Sequence, residues 1–255
     1  MIKIGVAGIG NGIDTIPELV KRDIVAGEVA FVRQVYMNNQ KAKEIGAVAK
    51  KLKFGLSVHA PYYINLNSVD KKIVNASMFR IAQSCERGHY LGAKNIVFHP
   101  GYLGKMSREE TYENIRLRLL KLKDKVSRWK VVLCPETAGK INVFGSLDEI
   151  LGLVKDVKCG FCLDFAHMKA RSLGEIEFSE VVKKVRKFKH IHCHYSGIEW
   201  TDKGEKRHVL TNPKEAKELL SVLKKYKVNC TIINESPNPV NDVLMMNGIL
   251  HKAFK

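Results

Sequence analysis

The feature that most constrains this chain is a regular alternation of two kinds of segment along its length. Short apolar, β-branched runs recur as "IKIGVAG", "VAFVRQVYM", "FGLSVHAPY", "KNIVFHPG", "KVVLCPET", "CGFCLDFAH", "HIHCHYS" and "CTIINES". Between them lie segments with helical spacing, such as "SMFRIAQSCERGHYLGA", "REETYENIRLRLLKLKDKV" and "PKEAKELLSVLKKY". Strands that alternate with helices build a parallel sheet with helices outside, because each parallel connection needs a long crossover. Eight such units in 255 residues match a closed (β/α)8 TIM barrel of the α/β class better than an open doubly wound sheet. No Pro- or Ser-rich linker, repeat or low-complexity tract interrupts the pattern, so residues 1–255 are expected to form a single barrel domain. The turn "GIGNG" after the first run lacks dinucleotide-fingerprint spacing and reads as a tight βα turn.

Charge narrows the partners. Forty-three Lys and Arg against 26 Asp and Glu give a net charge of +17, which attracts polyanions because each neutralised phosphate releases counterions. A lysine-rich surface kept for stability alone would balance Lys with Glu, as thermophile proteins do, and this chain does not. No apolar run reaches membrane-spanning length, and "MIKIGVAGIGNGID" is too short and Gly-rich for a secretory leader. Six irregularly spaced cysteines read as reduced thiols, and "CGFC" as core thiols within one strand. These features lead us to expect a cytoplasmic monomer with no membrane partner.

The strand ends carry the chemistry. His59, His99, Glu136, Asp164, His192 or His194, and Glu235 end the third to eighth runs. In a closed parallel barrel those ends converge on one mouth. Any one of them has a plain structural explanation, a satisfied imidazole or an ion-paired carboxylate. Six in succession do not, because unpaired carboxylates cannot share a dry mouth without cations. Mixed nitrogen and oxygen donors suit zinc, manganese or iron. His167, three residues after Asp164, and His208, in a loop after the seventh strand long enough to fold back over the mouth, make the set too large for one ion. A polynuclear centre and hydrolysis by an activated water follow.

The stretches "SVHAPYYINL", "FHPGY", "PETAG", "LDFAH", "HCHYS", "KRH" and "ESP" appear in an order that resembles the endonuclease IV family of apurinic/apyrimidinic endonucleases along essentially the whole chain. The resemblance implies a barrel around a trinuclear zinc cluster that hydrolyses the phosphodiester 5′ to abasic sites in double-stranded DNA, leaving a 3′-hydroxyl. It makes Glu136 a bridging carboxylate, with His59 and His99 on one ion and Asp164, His192 and Glu235 on another. His167 and His208 fall on the third ion, and Glu136 and Glu235 are the catalytic carboxylates. Tyr62 falls where the family inserts a tyrosine into the DNA stack. Lys41 in "NNQK", Asn65 and Arg207 are further DNA-contact candidates. Tyr62 packed under a loop and Lys41 solvated at a helix start are the plainer alternatives. Lys105, Lys140, Lys169, Arg171 and Lys203 also follow strand ends, where they would track phosphates.

Two positions depart from the family. Lys206 stands where an aspartate ligand of the third ion is expected, leaving Glu205 or Asp202 as substitutes and two ions better supported than three. His194-Tyr195 replaces an Asn-Asp pair; His192 is the expected ligand, with His194 held behind it and His190 deeper in the barrel. Single-metal sugar isomerases and epimerases are the main rival, because they need only a set like Glu136, Asp164, His192 and Glu235. A DNA-binding protein with an incomplete cluster is the third reading. The extra histidines and the basic charge favour the nuclease.

Overall fold

A computed structural model describes residues 1–252. The chain runs β1 (Ile2–Ala7), α1 (Gly12–Lys21), β2 (Ala26–Ala30), α2 (Asn39–Lys51), β3 (Gly55–His59), α3 (Lys71–Leu91), β4 (Asn95–Phe98), α4 (Arg108–Val126) and β5 (Val132–Pro135). It continues through α5 (Leu147–Val157), β6 (Cys162–Asp164), α6 (Phe165–Arg171), α7 (Phe178–Val185) and β7 (Ile191–Tyr195). A hairpin of β8 (Gly197–Thr201) and β9 (Gly204–Val209) follows, then α8 (Pro213–Lys225), β10 (Cys230–Asn234) and α9 (Pro239–Lys252). Eight parallel strands lie in the order β5-β4-β3-β2-β1-β10-β7-β6. A parallel bridge between Glu136 and Cys162 brings the two outer strands together, completing the (β/α)8 barrel.

Local chemistry sets the helix starts that carry each strand back. Ser107 and Glu110 form a reciprocal capping box on α4, and Ser146 and Glu149 form another on α5. Each satisfies backbone N–H groups that have no partner inside the helix. On α4 the stripe Thr111, Ile115, Leu119, Leu122 and Val126 faces the barrel, and each fully buried Leu or Ile contributes about 2 kcal/mol. Strands covered on both faces are buried throughout, as β7 is. Among the described residues no helix is long and apolar enough to cross a membrane, and all six cysteines are free thiols.

Two elements differ from the sequence reading. The second strand lies three residues earlier than "VAFVRQVYM" suggests, because Val32 turns the chain at φ 35° and the polar Arg33 and Gln34 stay exposed. The earlier start uses Gly27, where a Cβ would sit 2.6 Å from Ile9 and 3.0 Å from the Phe54 ring. It also places Glu28 inside the barrel, 1% exposed. The stretch after the seventh barrel strand is a β-hairpin packed on α6, not a loop.

Candidate metal centre

The seam between β5 and β6 fixes the first two carboxylates. Thr137 N–H donates to the Cys162 carbonyl at 3.2 Å, and Asp164 N–H donates to Thr137 Oγ1 at 2.9 Å. Glu136 and Asp164 are thereby held on adjacent strands, each 0% exposed. Asp164 also caps α6, accepting from His167 N–H at 2.7 Å. That helical turn brings His167 back over the mouth.

Among the described residues four sets of donors lie close enough to hold an ion: Cys162, His192 and His194 lower in the barrel, and three at the mouth that share carboxylates. His59, His99 and Glu136 form one, Glu136, Asp164, His194 and Glu235 a second, and Asp164, His167 and His208 a third; within each, the donor atoms lie within 4.8 Å of one another. Glu136 Oε2 is 3.2 Å from His59 Nε2 and 3.3 Å from His99 Nε2, while its Oε1 is 2.8 Å from His194 Nδ1. One carboxylate therefore faces two groups, and Asp164 links the second to the third.

Three histidines have their mouth-facing nitrogen chosen by their other edge. His59 Nδ1–H donates to the Ala60 carbonyl at 2.7 Å, and His167 Nδ1–H to the Thr137 carbonyl at 2.9 Å. Ser196 spends its hydroxyl proton on the Gly197 carbonyl, so its oxygen accepts from His208 Nδ1–H at 2.7 Å. In its neutral form each ring therefore carries its lone pair on Nε2, facing the mouth and held in place from behind.

The electrostatics of the mouth reflect crowding of acids and imidazoles. Burial lowers the His59 pKa, but the Glu136 hydrogen bond and charge outweigh it and push it up to about 9. His167, likewise opposed by burial, is pushed up to about 9 by Asp164 and Glu205. Burial, with His167 and His59 alongside, brings His99 down to about 4. Glu235 resists burial and falls to about 2 beside His194, while burial raises Asp164 above its ordinary value. Asp164 Oδ2 is buried with no hydrogen-bond partner, a lone pair left for a cation.

The placement of the expected residues is uneven. His59, His99, Glu136, Asp164, His167, His208 and Glu235 all come together. The seventh-strand histidine beside the carboxylates is His194, correcting His192. Both point inward, but His194 pairs with Asp164 in the β6 register and lies nearer the strand's C-terminal end. His192 sits a layer below, its Nε2 3.1 Å from Glu28 Oε2. His190 is exposed at the strand's start, not deep in the barrel, and reaches Thr231 at 3.2 Å.

Glu205 arrives by a route the sequence does not reveal. Glu199 pairs with Arg207 and Trp200 with Glu205, so Lys206 is the extra residue of a β-bulge. The bulge breaks the alternation of the strand. Lys206 and Arg207 both face solvent against Glu199, while Glu205 Oε2 lies 3.5 Å from His167 Nε2. Lys206 thus stands two residues before His208 but turns away to Glu199.

Of the DNA-contact candidates, Tyr62 is 50% exposed, with its ring 5.4 Å from His59, and lines a mouth cavity of about 470 Å³. Arg207 is exposed but held by Glu199 at 2.9 Å. Asn65 turns its side-chain oxygen to the Asn67 and Tyr102 N–H groups, and Lys41 lines a separate hollow with Tyr36 and Asn38. Lys105, Lys140 and Lys203 are exposed, and Lys140 lines the mouth. Arg171 donates to the Ala138, Lys140, Ile141 and Val143 carbonyls, and Lys169 pairs with Glu215 at 2.7 Å. Those two brace the structure. The residue overlooked is Glu28; its signal was an acid inside an otherwise apolar run.

Fold and site together define a (β/α)8 barrel whose mouth gathers histidines and carboxylates able to hold metal ions. Residues 23–247 match the xylose isomerase-like TIM barrel family, and the chain belongs to that family. An uncharacterised protein of Methanocaldococcus jannaschii is 35% identical over 96% of both chains. A Mycobacterium leprae protein named probable endonuclease 4 is 27% identical, over 78% of this chain and 81% of its own. Among solved structures, SacUVDE superposes with a TM-score of 0.80 at 15% identity over 99% of both chains. An L-ribulose 3-epimerase does so at 0.76 and 12%, over 99% of this chain and 96% of its own.

Proposed function

We propose that this protein is a metal-dependent DNA repair endonuclease that hydrolyses the phosphodiester 5′ to abasic sites in duplex DNA, leaving a 3′-hydroxyl. The observation that carries this reading is the set of three donor groups linked through Glu136 and Asp164. A one-ion sugar epimerase needs only the Glu136, Asp164, His194 and Glu235 group. The histidines of the other two groups would have no task in it. Relatives named endonuclease 4 and the net charge of +17 support the same reading.

The residues fit zinc, manganese or iron, with His59, His99 and Glu136 holding one ion, Glu136, Asp164, His194 and Glu235 a second, and His167, His208, Asp164 and Glu205 a third. When bound, such ions supply positive charge against the phosphodiester and acidify a water. Glu136 joins the first two groups, and Glu235 lies beside it at the same His194 nitrogen, 3.4 Å from Nδ1. Tyr62 offers an aromatic face beside the site, where a sugar without a base is cheapest to move out of the stack. Lys140 and its exposed neighbours attract the backbone.

Metal-loaded protein is expected to nick a duplex carrying one abasic analogue on its 5′ side, read on a denaturing gel. Loaded protein that spares the duplex and interconverts ketohexoses would establish the epimerase instead. Glu205→Gln is expected to lower the bound metal by one ion per chain, measured by elemental analysis after dialysis. Deleting Lys206 removes the bulge but keeps Glu205 inward, so the count should hold. Equal counts in wild type and Glu205→Gln would remove Glu205 from the ligand set.

A further inference from the structure

Barrel interiors are packed with branched apolar side chains, so a carboxylate among them calls for an explanation. Glu28 extends from β2 across the interior to β7. Its Oε2 accepts from Ser57 Oγ–H at 2.7 Å and lies 3.1 Å from His192 Nε2. Its Oε1 lies 3.1 Å from His194 Nε2. A buried carboxylate costs several kcal/mol unless its surroundings are arranged around it, and here three side chains from two strands are.

His194 is the reversed histidine of the mouth. His59, His167 and His208 are held through Nδ1 and present Nε2, whereas His194 presents Nδ1, 2.8 Å from Glu136 and 3.4 Å from Glu235. No backbone carbonyl holds its rear edge; Glu28 Oε1 and His194 Nε2 face each other as a 3.1 Å ion pair, and both are buried without a directed hydrogen bond to any group among the described residues. A carboxylate behind the ring fixes both the tautomer and the angle of the lone pair in front. We propose that Glu28 is a positioning residue for the mouth. Braced by Ser57 and His192, it holds His194 in the Nε2–H form, so that Nδ1 is the donor offered to the ion shared with Glu136 and Glu235. This inference rests on the metal-centre reading but not on the choice of substrate.

The competing arrangement is a cation lodged lower, among Cys162, His192 and His194, whose donor atoms also lie within 4.8 Å. It would draw His194 Nε2 away from Glu28. The test uses the full chain and zinc or cobalt alone. Glu28→Gln, nearly isosteric, is expected to weaken zinc binding tenfold to a hundredfold in competition with a chelating dye. Histidine ¹⁵N spectra of the zinc-loaded protein should show a single Nε2–H form of His194 that is lost or exchange-broadened in Glu28→Gln. If Glu28→Gln does not fold, Ser57→Ala, which touches no ligand, should weaken zinc several-fold. Wild-type affinity and an unchanged His194 tautomer in these variants would overturn the proposal. So would a thiolate-to-cobalt charge-transfer band that disappears in Cys162→Ser. None of these readouts involves DNA, so a protein that binds metal as expected but spares abasic duplex overturns the endonuclease reading alone.

Discussion

Glu136→Gln is expected to reduce incision of an abasic duplex on the order of a thousandfold or more, with the fold retained. The substitution is nearly isosteric at a position that is 0% exposed, so it leaves no cavity. What it removes is charge and one acceptor. Glu136 meets His59 and His99 through one oxygen and His194 through the other. An amide has one oxygen for the two sides, and its NH2 would face either the His59–His99 pair or His194. A neutral group there also removes an anion that lies between two donor groups. Folding should suffer less, because a neutral amide is cheaper to bury than a carboxylate held ionised among imidazoles. Gel-based incision and thermal unfolding of the same preparations separate the two effects. Incision within tenfold of wild type would remove the bridging role, and collapse of the fold would show that the carboxylate is structural first.

Most of the centre was legible because a parallel barrel turns sequence period into spatial position. His59, His99, Glu136 and Asp164 each end an apolar run and begin a turn, so their convergence follows from the alternation of strands and helices. His192 and His194 were not separable that way, since a period of two puts both on the inner face. Depth decides between them, and depth is set by pairing with β6 and β10, which no local pattern encodes. Glu28 was hidden by a three-residue offset in the second strand, where Gly27 rather than the β-branched run marks the start. Glu205 was named from the sequence only as one substitute for Lys206, and the bulge that turns it inward was hidden. Counting back two from His208 gives Lys206, and only the hairpin's pairing shows that one residue must be skipped.

Metal-loaded and metal-free protein are expected to respond to pH in opposite directions between about pH 7 and 9.5. Without metal, His59 and His167 titrate near 9 because buried carboxylates surround them, against about 6.5 when unfolded. Between those values the folded chain holds protons that the unfolded chain has released. The stabilisation from each raised pKa is therefore complete below about pH 6.5 and is lost as pH rises through about 9. A shift of this size corresponds to roughly 3 kcal/mol per histidine as an order of magnitude, since one unit is about 1.4 kcal/mol. For a chain of this length a loss of several kcal/mol lowers the melting temperature by about 10 °C. His99, near 4, and Glu235, near 2, contribute at the acid end, where stability falls as pH drops through their windows. Bound ions reverse the slope. They require neutral imidazoles, so protons compete with them and loading strengthens as pH rises. Ligation to the folded state then stabilises by mass action, about 4 kcal/mol at a thousandfold excess over Kd. The gap between unfolding curves recorded with added zinc and with chelator should widen steadily from pH 6.5 to 9. A melting temperature of the chelated protein that stays flat or rises over that range would mean that the mouth histidines are not serving as its cations.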